Sequence, residues 1–564
     1  MRSFISACVI VVLCSGHNAL AGPEAIDLTV VHRIKAEAFE RSEVMDTLFW
    51  LTDANGPRLT GSKGFNTAAQ WSVTRLKALG ASNVHLEKWG VFGREWNVGR
   101  SSLAMVSPVV ATLEGTPKAF TLGTQGPVVG DVVFAPIVPN TQPINTYDSQ
   151  KYTERIAAYE QQYKGTLKGK IVLLSDVRKF KVPTQPVASR YDDAKLQALT
   201  AGAAPVFDPT WAEALATSPA DTEMIAALEQ RTPLEQITAR WAEMRKTRLA
   251  LADFLRREGV LAILTTETRG EGGITFAEAG GAYDTSSWAN APTTVVVEPE
   301  GYNRLVRLVQ HRLPVKVELD VEASFGPNPV DGFNVIAELP GKKKRDELVM
   351  VGAHLDSWHG STGATDNAAG VAVMLEAFRL LKKLNLPLDR TVRLALWSGE
   401  EQGLRGSRAY VSEHFADPFT MKPKPEHAKV SAYFNLDNGA GMIRGVYLQN
   451  NDAARPVFDQ WFAPFRDLGV SSVTLRSTLH TDHASFDAVG LPAFQFVQEP
   501  LEYTSRTHHS NIDSYDHAPP SDLMQSAAVM ASLIYAAANR AEPLPRKPLP
   551  PPVVLLPVTS TTQN

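Results

Sequence analysis

The feature that most constrains this chain is a set of four short apolar runs between residues 348 and 497, each leading into ionisable side chains. Leu348–Ala353 (LVMVGA), Val392–Trp397 (VRLALW), Ala432–Leu436 and Ala493–Val497 carry too many consecutive apolar residues for strands with one wet face. Both of their faces must be covered. Helical stretches separate them, among them 367–384, which sets Val371, Leu375, Phe378 and Leu381 on one side. Short buried strands alternating with helices predict an α/β domain, a mixed and mostly parallel sheet sandwiched by helices.

The residues just beyond each run are alike in kind. LVMVGA leads into His354-Leu355-Asp356, and the turn Gly363–Asn367 opens the next helix with Asp366. VRLALW leads into Ser398-Gly399-Glu400-Glu401, the run ending at Leu436 meets Asp437, and His508-His509 come after the last. Open α/β sheets bind ligands at the carboxyl ends of their strands, and this residue set is that of a carboxylate-rich dinuclear metal site. Charge favours two divalent ions over one. Their four positive charges balance Asp366, Glu401, Asp437 and a hydroxide, with neutral His354 and His509 completing the shells. One ion would leave the carboxylates repelling each other. Taken singly, each residue has a plainer reading: a structural His, a helix-capping Asp, a solvated Glu-Glu pair, a turn Asp. Their joint occurrence after successive strands is what those readings explain poorly. The chain has no H-E-x-x-H, no G-x-S-x-G and no P-loop.

The middle of the chain differs in texture. Val128–Pro136, Lys170–Asp176, Val260–Thr265 and Thr293–Val297 read as strands, and about 186–258 reads as helical. Thr232-Pro233-Leu234-Glu235 has the form of a capping box, opening a helix that stops at Gly259. Residues 126–325 are therefore expected to be an inserted β-rich module with a helical excursion. This module is expected to shape substrate access without supplying metal ligands. Residues 22–125 and 326–541 would form the discontinuous catalytic domain. The lead-in is expected to be mostly helical, with one helix over Gly64–Leu79. The proline-rich tail 542–564 is expected to be extended or disordered.

Six motifs resemble those of the co-catalytic dizinc exopeptidases, the relatives of aminopeptidase S, carboxypeptidase Q and glutamate carboxypeptidase. They are HLDSW at 354–358, GATDNAAG at 363–370, WSGEEQG at 397–403, NLD at 435–437, TDHASF at 481–486 and HHSNID at 508–513, joined by GPRLTGS at 56–62. The resemblance implies a zinc exopeptidase, phosphorylase/hydrolase-like fold, and the inserted module is similar to a protease-associated domain. It implies two zinc ions per chain bridged by Asp366, one completed by His354 and Asp437 and the other by Glu401 and His509. Glu400 would be the general base. Asp356 would orient His354, Asp513 would do the same for His509, and a cis peptide would follow Asp366. Tyr503 is either a donor to the oxyanion or structural, and His508 competes with His509 for the metal. A peptide substrate is implied by the same likeness. TDHASF resembles the aminopeptidase branch while HLDSW also resembles carboxypeptidase Q, so carboxypeptidase or dipeptidase action stands as the alternative. A non-catalytic binding protein or an acyl-transfer enzyme on this fold are further readings.

Composition bears on partners and location. Lys plus Arg number 56 against 60 for Asp plus Glu, which gives no basic footprint for nucleic acid. Arg2, an apolar run from Phe4 to Leu13 and Ala19-Leu20-Ala21 read as a secretory signal cleaved after Ala21. The run falls short of the ~20 apolar residues that span a membrane. Lipidation at Cys14 is the competing reading. Both cysteines, Cys8 and Cys14, lie upstream of the cleavage point, so a mature secreted or periplasmic chain would start at Gly22 without a thiol.

Overall fold

The computed structural model describes residues 26–145, 147–180, 182, 184–202, 222–229, 231–284 and 291–555. The expected signal segment, part of the helical excursion and the end of the tail lie outside these residues. No helix among them is long and apolar enough to cross a membrane.

Among the described residues fourteen strands occur in chain order: β1 (Ser82–Ser107), β2 (Ala111–Thr112), β3 (Gly115–Pro117), β4 (Val128–Phe134), β5 (Lys170–Leu173), β6 (Ala262–Thr265), β7 (Thr294–Val297), β8 (Lys316–Leu339), β9 (Lys344–His354), β10 (Arg390–Trp397), β11 (Val430–Asn435), β12 (Ile443–Tyr447), β13 (Ser472–Thr474) and β14 (Ala493–Gln498). They form one sheet in the order β13-β12-β14-β11-β9-β10-β8-β4-β5-β6-β7-β3, with β1 paired to β8 and β2. The four apolar runs are β9, β10, β11 and β14, and these pair in parallel. The flanking pairings β12–β14 and β8–β10 are antiparallel, so the sheet is mixed and mostly parallel around the site.

Helices cover both faces of this half. Leu28–Glu40, Val44–Leu51, Lys63–Ala78, Ala369–Lys383 and Pro520–Asn539 share one core with the sheet. Tyr410, Val411 and Phe486, from helices Arg405–His414 and His483–Asp487, pack on the other. Helix Ala369–Lys383 is buried from Ala369 to Leu381. The one-sided pattern expected for it is thus replaced by burial on all sides, because other helices enclose what the sheet does not. Gly370 makes the closest approach: a Cβ there would lie 2.3 Å from the Leu436 carbonyl and from Asn367 Oδ1. The helix start can therefore press against the end of β11.

The lead-in departs from expectation. It is helical to Ala78, but residues 82–107 are a 26-residue strand, β1, pairing antiparallel with β8 along nearly its whole length. Strand β8 meets β10 through Val335–Leu339 and β4 through Lys316–Leu319, so one strand carries both halves of the sheet. On the β4–β7 half, helix Pro299–Gln310 packs on one face. Helices Ser149–Tyr163 and Leu234–Glu258 pack on the other. The capping box is not formed: helix Leu234–Glu258 has Pro233 as its N-cap with no side-chain bond, and the Thr232 hydroxyl donates back to the Leu228 carbonyl instead. Gly259 does end that helix, at φ +73°. The tail is extended and packed down as far as it is described. Leu544 is buried, the Arg546 guanidinium donates to the His427 carbonyl at 2.9 Å, and the Val553 N–H donates to the Pro418 carbonyl at 2.9 Å.

Arg58, from the GPRLTGS segment, ties the helical lead-in to the strand ends. Its fully buried guanidinium donates to the carbonyls of Leu355 (2.7 Å), Leu51 (2.9 Å), Thr362 (2.7 Å) and Gly363 (2.9 Å). Removing a charged donor that satisfies several buried carbonyls costs about 3 kcal/mol or more. Arg58→Met, which keeps the stem and loses the donors, is expected to lower the thermal midpoint markedly in a calorimetric scan. An unchanged midpoint would show that these carbonyls find other partners.

Candidate metal centre

Each candidate residue sits at the end of a parallel strand or on the segment that follows one. His354 is the last residue of β9, and Asp366 lies in the turn that opens helix Ala369–Lys383. Glu400 and Glu401 follow β10, Asp437 follows β11, and His509 lies on the segment after β14. The sheet gathers side chains from distant parts of the chain into one cluster, in which Glu400, Glu401 and His509 are half-buried. His354, Asp366 and Asp437 are all less than a tenth exposed.

The geometry is organised about the two oxygens of Asp366. His354 Nε2 lies 3.3 Å from Asp366 Oδ1 and 3.3 Å from Asp437 Oδ1. On the other side His509 Nε2 lies 3.2 Å from Asp366 Oδ2 and 3.1 Å from Glu401 Oε2. The donors therefore fall into two sets that share one carboxylate. Asp366 Oδ2 and Glu401 Oε1 are buried without a hydrogen bond of their own. Imidazole nitrogens and carboxylates that converge this way suit divalent ions with N and O ligands, so the residues fit the metals the sequence implied. The peptide after Asp366 is cis, as the resemblance implied. His508 is farther off, its Nε2 3.8 Å from Asp366 Oδ2, and its ring stacks on that of His509 at 3.6 Å.

Crowding of like charges shapes the electrostatics. Burial, then the Asp366 charge, pushes Glu401 up to about 8. Burial also raises Glu400 well above the carboxylate range, with Asp437, Asp482 and Glu401 adding to it against the pull of His354. Burial works against protonation of the imidazoles. Asp437 and Glu400 nonetheless raise His354, and Glu401 and Asp366 raise His509, both well above the usual histidine value. Asp366 goes the other way. Burial disfavours its charge, yet the adjoining imidazoles of His354 and His509 hold it well below the usual range. Positive charge is what this cluster lacks.

The surrounding groups differ in part from expectation. His354 Nδ1 lies 2.9 Å from the backbone carbonyl of Asp356, while the Asp356 carboxylate stands off at 3.7 Å. That carboxylate instead accepts from the Thr60 hydroxyl at 2.8 Å and from the N–H groups of Glu400 and Glu401 at 3.4 Å. It holds the Glu400–Glu401 turn. Asp513 does not orient His509: its two oxygens accept the backbone N–H groups of Thr365 (2.6 Å) and Asp366 (3.1 Å). The group facing His509 Nδ1 is Glu278 Oε1, at 2.8 Å. Glu278 belongs to residues 126–325. Its segment clasps the His509 segment, with the Ala277 N–H donating to the His509 carbonyl at 3.1 Å and the Asn511 N–H to the Thr275 carbonyl at 3.1 Å. His509 is held at φ +63°, in the left-handed region. The middle segment thus does more than shape access, although it places no group among the expected ligands.

A cavity of about 950 Å³ opens onto the cluster and is lined by Asp366, Glu400, Glu401, Asp437, Tyr503 and His509. Helix Leu234–Glu258 supplies much of the facing wall, and Leu555 of the tail reaches it too. Burial, then Asp366, keeps the Tyr503 phenol protonated. His480 and His483 are both pushed down to about 4 by burial. His483 bonds Gln449 (2.7 Å) and the Thr478 carbonyl (2.8 Å), a structural role. Buried Asp482, inside the motif TDHASF but without a role legible in the sequence, is pushed up to about 8 by burial.

Comparison with known proteins falls on the same residues. Residues 334–534 match the model of peptidase family M28. Carboxypeptidase Q of Bos taurus is 26% identical over 531 residues, covering 94% of this chain and 91% of that protein. The crystal structure of a peptidase M28 precursor from Shewanella amazonensis SB2B superposes with a TM-score of 0.62 at 24% identity, covering 93% of this chain and 98% of that one. BSAP, a zinc aminopeptidase from Bacillus subtilis, shares the fold at a TM-score of 0.51 and 18% identity, over 89% of this chain and 97% of its own. Residues 334–534 of the chain belong to peptidase family M28.

Proposed function

We propose that the chain is a dinuclear zinc exopeptidase, hydrolysing peptide bonds at chain ends. The observation that carries this reading is Asp366, whose two oxygens each face a different histidine, and each of those histidines faces a different second carboxylate. Asp366, His354 and Asp437 would hold one ion, and Asp366, Glu401 and His509 the other. When bound, such ions polarise a carbonyl and lower the pKa of water. Glu400 belongs to neither donor set, lines the cavity and is raised by burial and then by neighbouring carboxylates. It would take a proton from the attacking water and return it to the leaving amine. Tyr503 stays protonated and offers a hydrogen bond to developing negative charge. Asp356 and Asp513 would fix the backbone that carries Glu400, Glu401 and Asp366. An aminopeptidase reading rests on TDHASF, and a carboxypeptidase reading is favoured by the near-complete overlap with carboxypeptidase Q. A secreted or periplasmic location rests on the first 21 residues.

The two adjacent glutamates should fail differently. Glu400→Gln removes proton transfer and should cost roughly 10² to 10⁴ in kcat while both ions stay bound. Glu401→Gln removes an anionic ligand and should lower metal content, with activity partly restored by added zinc. Elemental analysis and kcat across a zinc titration decide it, and the reverse pattern would exchange the two roles.

Glu401 at about 8, with His354 and His509 above the ordinary histidine value, means that these groups hold protons at pH 7 that metal ions must displace. Zinc titrated into metal-stripped protein at pH 7 is expected to release more than one proton per chain. The contribution of Glu401 should fade above pH 8. Calorimetry in buffers of different ionisation enthalpy measures this, and zero net release would contradict the proposed ligand set.

A further inference from the structure

The charge lining the cavity distinguishes the two ends of a peptide. A free amino terminus needs an uncommitted carboxylate, and a free carboxyl terminus needs an uncommitted cation. Outside the metal cluster and the proposed base, the carboxylates on the cavity wall are taken. Glu278 faces His509, Glu235 pairs with Arg408, and Asp284 has an interaction of its own.

Four guanidiniums line the same cavity, and three are occupied. Arg245 donates to the Tyr283 hydroxyl, Arg405 donates to the carbonyls of Phe92 (2.9 Å) and Val91 (3.3 Å), and Arg408 holds Glu235. Arg248, one turn beyond Arg245 on helix Leu234–Glu258, makes no hydrogen bond or ion pair among the described residues. A second unmatched group lies beside the metal cluster. Gln402 directly follows Glu401, is 6% exposed and lines the cavity, and neither its Nε2 nor its Oε1 has a hydrogen-bond partner. A buried amide with both ends unmatched costs stability unless a ligand completes it.

We propose that Arg248 and Gln402 form the subsite that receives the free α-carboxylate of the substrate's C-terminal residue. This makes the substrate class short peptides with an unblocked carboxyl end. Arg248 supplies the charge. Gln402 Nε2 donates a hydrogen bond near the metals, and its Oε1 accepts from an N–H of the same residue. The proposal rests on the exopeptidase reading. It assigns a substrate role to helix Leu234–Glu258, which lies in the segment between the two parts of the catalytic domain.

The test uses the full zinc-loaded chain and one dipeptide in two forms, with a free carboxylate and as the C-terminal amide. The wild-type protein is expected to prefer the free form by at least about tenfold in kcat/KM. Arg248→Met should raise KM for the free form about 10- to 100-fold, the loss expected for hydrogen bonds to a charged group. It should leave kcat within about threefold and bring the preference near one, while Arg248→Lys recovers part of it. Gln402→Glu sets a negative charge beside the carboxylate and should raise KM for the free form more than for the amide. Zinc content is measured for every variant, and the comparison is made between variants that carry the wild-type content. Equal cleavage of amide and free forms by the wild type, or a preference unmoved by Arg248→Met, overturns the subsite and leaves the exopeptidase reading standing. If metal-loaded protein cleaves neither form, the exopeptidase reading falls and the subsite with it.

Discussion

Asp366 is the point on which the site depends. Its carboxylate lies between two imidazoles that themselves face further carboxylates, with His354, Asp366 and Asp437 buried. Like charges packed this closely in a water-poor site repel each other strongly unless cations or protons intervene. The upward shifts of Glu400 and Glu401 and of both histidines express that demand. Two divalent ions would meet it, and on the proposed function the same charge would polarise a peptide carbonyl.

Holding such a cluster together falls to groups around it that bind backbone more than side chains. Arg58 collects carbonyls from the end of β9 and from the turn before Asp366. Asp513 collects the N–H groups of Thr365 and Asp366, and Asp356 those of Glu400 and Glu401. Charged groups in fixed orientations clamp the strand-end loops, so the donor geometry does not depend on the ions alone. Glu278 extends this to His509 from a segment outside the family match, 231 residues away in sequence.

The half of the sheet that carries the metal-type cluster was legible because its physics is local. A strand buried on both faces reads as an unbroken apolar run, and the residue after it must sit at the sheet edge, so β9, β10, β11 and β14 and their terminal side chains could be placed from sequence. Strands β1 and β8 could not. They carry Gly90, Gly93 and Gly99, or Pro327 and Pro329, together with many half-exposed positions. Their pairing is set by a partner more than two hundred residues away. Glu278 escaped for a related reason: it lies on an irregular segment, in no motif, and only the clasp with residues 509–511 brings it to His509. The Thr232–Glu235 capping pattern misled because local sequence allowed a cap while the Leu228 carbonyl was the nearer partner.

A crystal structure of the zinc-loaded protein, with anomalous scattering collected on both sides of the zinc edge, tests the bridging role of Asp366 most directly. Two zinc peaks about 3.5–4 Å apart are expected. Both should touch Asp366, one with His354 and Asp437 and the other with Glu401 and His509. A single peak, or a second ion held by His508 in place of His509, would contradict that role.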